Sequence, residues 1–413
     1  MASSSSRLKD TIFSTQIVDC HTHIIPWNDL PQPVTGYTLF NRSGCLRGIW
    51  AIAGALSRQE FRQFKQFPDW PSLSAALEQV KAVAYYRILL SGLKSLYMLD
   101  FEELDEISLE ALGKKMADAY KSPHWYSTVL KEKAGFDITC QDSRGEFDRS
   151  LFTPVTRMDG YALFGKRGWG DAIIAKHGGD RTSSLEGLVG CLGQDFHEAL
   201  KDGAAAVKSN LCWGRTLSFD LVGTAAAADA LAVCNSDEND EKSAKVLGDY
   251  MMNEIAKLCA AHDIPLQIHT GPAGGTDHMV EFGNPLNLNP LILRNPETKF
   301  ILFHAGGPFV RESAALATQF PNVFLDLCGV LGRDSLRRIL DDWLEFVPHT
   351  KIMWGTDVNM VEEAYAISRS FREVLFELLE ARVKSGYISY SVAEDVAKAI
   401  LAGNAKRVLR LES

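Results

Sequence analysis

The segment Ile17-Val18-Asp19-Cys20-His21-Thr22-His23 closes a short apolar run with two imidazoles one residue apart. On an extended chain alternate residues project to the same side, so both rings can turn toward one ion. Other apolar runs close in the same way. Pro265–His269 and Lys299–His304 end in histidine, and the run that begins at Lys351 leads to Asp357. A single histidine at such a point is more often a hydrogen-bonded structural residue. Four imidazoles and one carboxylate, each at the end of an apolar run, form a donor set for a divalent cation. Their nitrogen and oxygen character suits Zn²⁺ and is compatible with Mn²⁺, Fe²⁺ or Ni²⁺. Lys208, in Ala205-Ala-Val-Lys208-Ser-Asn210, joins the survey because a lysine on an apolar strand is costly to bury unless it is paired or used. Three readings stand for it: a salt-bridged lysine orienting a carboxylate, a contact to a substrate carboxylate, or a carbamylated lysine bridging two metal ions.

These residues need a scaffold that carries strand ends to one place. Short β-rich runs alternate with longer amphipathic segments along the chain, the pattern of a βα architecture. The expected strands are Gln16–Cys20, Phe136–Cys140, Leu151–Arg157, Ala205–Asn210, Pro265–His269, Lys299–His304, Asn322–Leu327 and Lys351–Trp354. That number closes a parallel (β/α)8 TIM barrel, an α/β fold whose chemistry is built at the C-terminal strand ends. Helices are expected at Thr182–Asp202, Asp240–His262, Arg311–Gln319, Ser335–Phe346 and Val361–Lys384, with another starting from a capping box at Ser391 and Glu394. The interval 26–135 breaks the rhythm. Its first part, Pro26–Phe67, reads as an irregular covering loop, and Asp69–Tyr97, Ser108–Tyr120 and His124–Lys133 read as helices. Residues 1–413 are therefore expected to form one barrel domain, with 26–135 as a helical cap over its active site.

The chain has 413 residues, 46% hydrophobic and 23% charged, which excludes a disordered or low-complexity protein. A net charge of −9, from 43 basic and 52 acidic residues, argues against broad binding to nucleic acid or an anionic membrane. The eight cysteines are dispersed without C-x-x-C spacing, the usage of a reducing compartment. The Ser-rich N-terminus lacks an apolar signal core, and no apolar run approaches the ~20 residues of a membrane span. The expectation is a cytoplasmic protein acting on a small molecule, with self-association as a prior for barrel enzymes.

The constellation resembles the amidohydrolase superfamily: H-x-H after the first strand, His after the fifth and sixth, and Asp after the eighth. Within it the chain is similar to the amidohydrolase-2 group and its FluG/nodulin-like domain, and more distantly to uronate isomerases. The segments Val207-Lys-Ser-Asn-Leu-Cys-Trp-Gly-Arg215, Gln267-Ile-His-Thr-Gly271, Phe303-His-Ala-Gly-Gly-Pro-Phe-Val-Arg311, Val323-Phe-Leu-Asp326 and Trp354-Gly-Thr-Asp357 carry the likeness. The resemblance implies His21, His23, His269 and Asp357 as ligands of one metal, with Asp357 also taking a proton from water. It implies His304 as an acid, base or electrophile, or as a ligand of a second metal. Lys208 matches the carbamate position of binuclear relatives, although its context favours one metal. Substrate selection is expected from loop residues Asn210, Trp213, Arg215, Arg157, Asp159, Asp277 and His278, with Arg215 as a fork for a carboxylate. The resulting expectation is a metal-dependent hydrolase that cleaves an amide C–N bond in a small carboxylated substrate. Decarboxylase or lactonase chemistry on the same site, and a non-catalytic binding protein, are the rivals.

Overall fold

The structure, a computed structural model, describes residues 4–53, 58–63, 66–142, 146–237, 239–272, 278–330 and 332–411. Eight strands form one sheet in the order β1 to β8, the (β/α)8 barrel class anticipated above. They are β1 Ile17–Thr22, β2 Phe136–Gln141, β3 Phe152–Arg157, β4 Ala206–Ser209, β5 Leu266–His269, β6 Phe300–Phe303, β7 Val323–Asp326 and β8 Ile352–Met353. All eight expected strands are present, with ends moved by a few residues. Pairings β1/β2 and β3 through β7 are parallel. β1, β4, β5, β6, β7 and β8 are buried at every position. This burial explains why they read as continuous apolar runs rather than alternating ones.

The chain divides into two compact units. The first comprises Met1–Phe152, Gly274–His278 and Leu327–Ala405 and holds β1, β2 and β8. In it β8 lies beside β1, with Cys20 N donating to Trp354 O and His23 N donating to Val358 O. Helix Val361–Lys384 follows β8 at the position anticipated, and Gly386 beyond it has φ 77°, the left-handed conformation that ends helices. The Ser391 cap is corrected: the helix runs Tyr390–Lys398, and Ser389 is the N-cap, its side chain accepting from Val392 N. Glu394 instead meets Arg7 at 2.8 Å.

The insertion after β1 belongs to this unit and is more helical than its composition suggests. Pro26–Phe67 contains helices Gly36–Arg42, Gly44–Ile52 and Arg58–Gln63 instead of a continuous irregular loop. Thr35 caps the first by accepting from Thr38 N, and a Cβ on Gly36 would stand 2.5 Å from Leu109 Cδ1, so glycine there serves close packing. Asp69–Tyr97 is two helices, Trp70–Val80 and Ala84–Tyr97. Leu77, Val80, Tyr85 and Leu89 keep apolar spacing across the break, so periodicity alone does not register it.

The second unit comprises Thr153–Ala273, Met279–Asp326 and Lys406–Ser413 and holds β3 to β7. Helices Leu185–Lys201, Glu241–Ala261 and Val310–Gln319 lie in it close to their expected bounds. The acidic stretch at 235–242 contains Asp240, the N-cap of Glu241–Ala261. No disulfide joins any of the eight cysteines. No helix among the described residues is long and apolar enough to cross a membrane.

Candidate metal centre

In the first unit the H-x-H motif and the loop after β8 bring three side chains together. His21 Nε2 lies 3.5 Å from Asp357 Oδ1, and His23 Nε2 lies 3.4 Å from the same oxygen. The two rings are 4.6 Å apart at 85°. His23 Nδ1 faces the Asp142 carbonyl at 2.5 Å. A carbonyl can only accept, so this nitrogen carries the proton and Nε2 presents its lone pair toward Asp357. A lone pair and a carboxylate oxygen facing one another repel unless a cation stands between them. Two donors bound at about 2.0–2.1 Å to a tetrahedral ion lie about 3.4 Å apart, the spacing found here. The donor set fits a divalent metal.

Asp142 is the residue that sequence reasoning missed. It follows β2, is buried, and offers a carboxylate oxygen that lies with a His21 and a His23 nitrogen inside a 4.8 Å cluster. Its backbone N–H donates to Thr22 O, so the end of β1 holds it in place.

The centre is held by a buried carboxylate two residues before the H-x-H pair. Asp19 is fully buried; its Oδ1 accepts from His21 N at 3.2 Å and Thr356 N at 2.8 Å, and its Oδ2 accepts from the Thr356 hydroxyl at 2.6 Å. A Cβ on Gly355 would meet His21 N at 2.9 Å and Asp19 Oδ1 at 3.0 Å, so only glycine lets the strands approach this closely. Asp357 has φ 57°, a left-handed conformation that aspartate tolerates better than most side chains. His278 also lies in this unit and is half-buried, while Asp277 falls outside the described residues.

The second unit gathers a different set. His304 Nε2 and His269 Nδ1 are 3.0 Å apart, and His269 Nε2 is 3.2 Å from Pro272 O. Because Pro272 O can only accept, His269 Nε2–H donates to it and His304 Nε2–H donates to His269 Nδ1. Thus His269, expected as a ligand, has both ring nitrogens in hydrogen bonds within this unit; binding an ion through Nε2 requires release of Pro272 O. His304 has φ 64°, and Trp213, 39% exposed, stands edge-on to His269 at 5.7 Å. Lys208 is fully buried on β4, with Nζ 3.7 Å from the centroid of Phe303, a cation–π contact.

Arg215 is placed differently from expectation. It pairs with buried Asp249, donates to Ser218 O at 3.0 Å and lies over Phe219, so its guanidinium pins the loop after β4 instead of presenting a free fork. Lys245 reaches the other Asp249 oxygen at 2.6 Å. Arg215→Ala is expected to cost about 3 kcal/mol in denaturant unfolding, because it leaves a buried carboxylate with one partner fewer. Arg157, at the end of β3, is exposed; with the Asn210 amide oxygen turned toward it, both Nη atoms lie 3.2 Å away. Asp159 accepts from Asn210 N at 2.8 Å.

Residues 228–411 match the Amidohydro_2 family model, described as amidohydrolase. The C-terminal part of the chain, from residue 228 to 411, is thus similar to amidohydrolases. Protein fluG of Emericella nidulans is 35% identical over 176 residues, which are 40% of this chain and 20% of that one, so the match spans about a fifth of that relative's length. Among solved structures, a candidate metal-dependent hydrolase from Lactobacillus casei aligns with TM-score 0.70 at 18% identity, covering 98% of this chain and 99% of the other. Uronate isomerase from Thermotoga maritima aligns with TM-score 0.79 at 16% identity, covering 99% and 98%. These two likenesses carry the barrel fold and not a reaction.

Proposed function

We propose that this protein is a metal-dependent hydrolase of the amidohydrolase superfamily, cleaving an amide C–N bond in a small carboxylate-bearing substrate. The observation that carries the reading is Asp357 Oδ1, set 3.5 and 3.4 Å from two imidazole nitrogens. His21, His23 and Asp357 would hold the ion, and the resemblance adds His269; Zn²⁺ suits this set best. When bound, such an ion polarises a carbonyl and makes water acidic enough to ionise near neutral pH. Asp357 would accept a proton from the attacking water and pass it to the leaving nitrogen. The resemblance gives His304 the part of electrophile toward a developing oxyanion, which its Nε2–H fills once released from His269. With Arg215 committed to Asp249, Arg157 is the guanidinium assigned to the substrate carboxylate.

The test begins with elemental analysis of the purified protein, followed by zinc reconstitution. Amine release is then followed on a panel of N-acyl amino acids, and CO₂ release on aromatic acids. Amine release that depends on zinc supports the proposal. CO₂ release without amine replaces it with decarboxylation, and a protein that takes up no metal reads as a binding protein.

A further inference from the structure

The metal-ligand loop after β8 is held from two directions. Backbone bonds tie it to the segment that carries the histidines: Asp357 N donates to His21 O, His23 N to Val358 O, and Ile25 N to Asn359 O, each at 2.9 Å. The second hold comes from the insertion. Gly44 N donates to Asn359 Oδ1 at 2.9 Å, and Asn359 Nδ2 reaches His23 O at 3.4 Å. Cys45 Sγ lies 3.6 Å from Asp357 O. Glu363 joins the two sides. Its Oε1 accepts from the Ser43 and Tyr85 hydroxyls of the insertion, and its Oε2 accepts from Asn359 N at 3.1 Å and Met360 N at 2.9 Å.

The neighbouring carboxylate provides an internal comparison. Glu362 is also fully buried and also holds the insertion, accepting from Tyr97 Oη at 2.6 Å, Tyr120 Oη at 3.1 Å and Trp125 Nε1 at 3.3 Å. Burial raises both carboxyls above the usual glutamate range, while their donors pull them back. Only Glu363 has an oxygen on the backbone of the loop itself, through Asn359 and Met360.

We infer that Asn359 and Glu363 are positioning residues that transmit the placement of the Ser43-Gly44-Cys45 turn to Asp357, making the insertion part of the metal centre. The inference rests on the reading that His21, His23 and Asp357 hold a metal. A carboxylate ligand misplaced by a few tenths of an ångström loses affinity, and hydrogen-bonding partners behind a ligand typically change metal affinity 10–100-fold when removed. The loop's left-handed residue at Asp357 needs such support, because its backbone does not favour that conformation on its own.

The experiment measures the zinc dissociation constant of the whole chain by competition with a chromophoric chelator, at a temperature where every variant is folded. Asn359→Ala and Glu363→Leu are expected to weaken zinc by about tenfold or more, and Glu363→Gln, which keeps an acceptor for the loop N–H groups, to restore most of it. Glu362→Leu orphans three donors and is expected to lower the melting temperature yet leave zinc affinity within about twofold. Half-buried Asn359 is the safer substitution and carries the test if Glu363→Leu does not fold. Unaltered affinity in Asn359→Ala, or equal weakening by Glu362→Leu, overturns the relay. Tight binding by the natural chain that His21→Ala leaves unchanged overturns the ligand assignment beneath it.

Discussion

Asp357→Asn is expected to lower turnover by about 10³-fold or more, while the melting temperature moves by only a few degrees. Two losses combine. The amide has no negative charge to hold a cation against two neutral imidazoles, and it does not take up a proton at neutral pH. The fold tolerates the change because the side chain is 24% exposed and the backbone bond from Asp357 N to His21 O remains. Steady-state kinetics on the zinc-loaded variant, with metal content measured on the same sample, checks this outcome. Normal activity in metal-depleted Asp357→Asn would remove the proposed mechanism. The parallel variant His21→Ala is expected to lose the metal itself.

Asp19→Ala is expected to act on stability and metal together. It removes the acceptor of two backbone N–H groups and one hydroxyl in a fully buried place, a cost of about 3 kcal/mol at about 1 kcal/mol per lost bond. The freed groups lie on His21 and on Thr356, so both flanks of the centre loosen, and zinc affinity is expected to fall at least about tenfold. Asp19→Asn keeps one acceptor oxygen and is expected to fall between. Urea unfolding and zinc competition on the same preparations separate the two effects. Full zinc affinity in a folded Asp19→Ala protein would show that the backbone ladder alone fixes the ligands.

Much of the frame was legible because buried parallel strands leave largely apolar runs. β2 and β3, only partly buried and mixed with polar residues, were legible from their β-rich composition and their place in the βα alternation. The H-x-H pair and Asp357 were legible because histidine and aspartate at strand ends are chemically conspicuous. The partners were harder to see. Asp142 follows β2 as an ordinary polar residue, and only the pairing of β2 with β1 brings it near His23. Asp19 stood inside the quoted motif, and its signal was a carboxylate within an otherwise apolar strand. Arg215 looked like a substrate fork because a guanidinium in a loop looks the same whichever acid it meets; its partner Asp249 sits on helix Glu241–Ala261. Glu362 and Glu363 read as acids favouring a helix N-terminus, a role that hides their burial beneath the insertion.

The positive φ angles at His304 and Asp357 bear on how this protein can change. Glycine occupies that backbone region without steric penalty, whereas a residue with a Cβ is disfavoured there by roughly 1 kcal/mol. The chain would therefore relax at both positions if it gave up its imidazole and its carboxylate. On the proposed mechanism, demand for turnover holds these two side chains against a drift toward glycine that stability alone would favour.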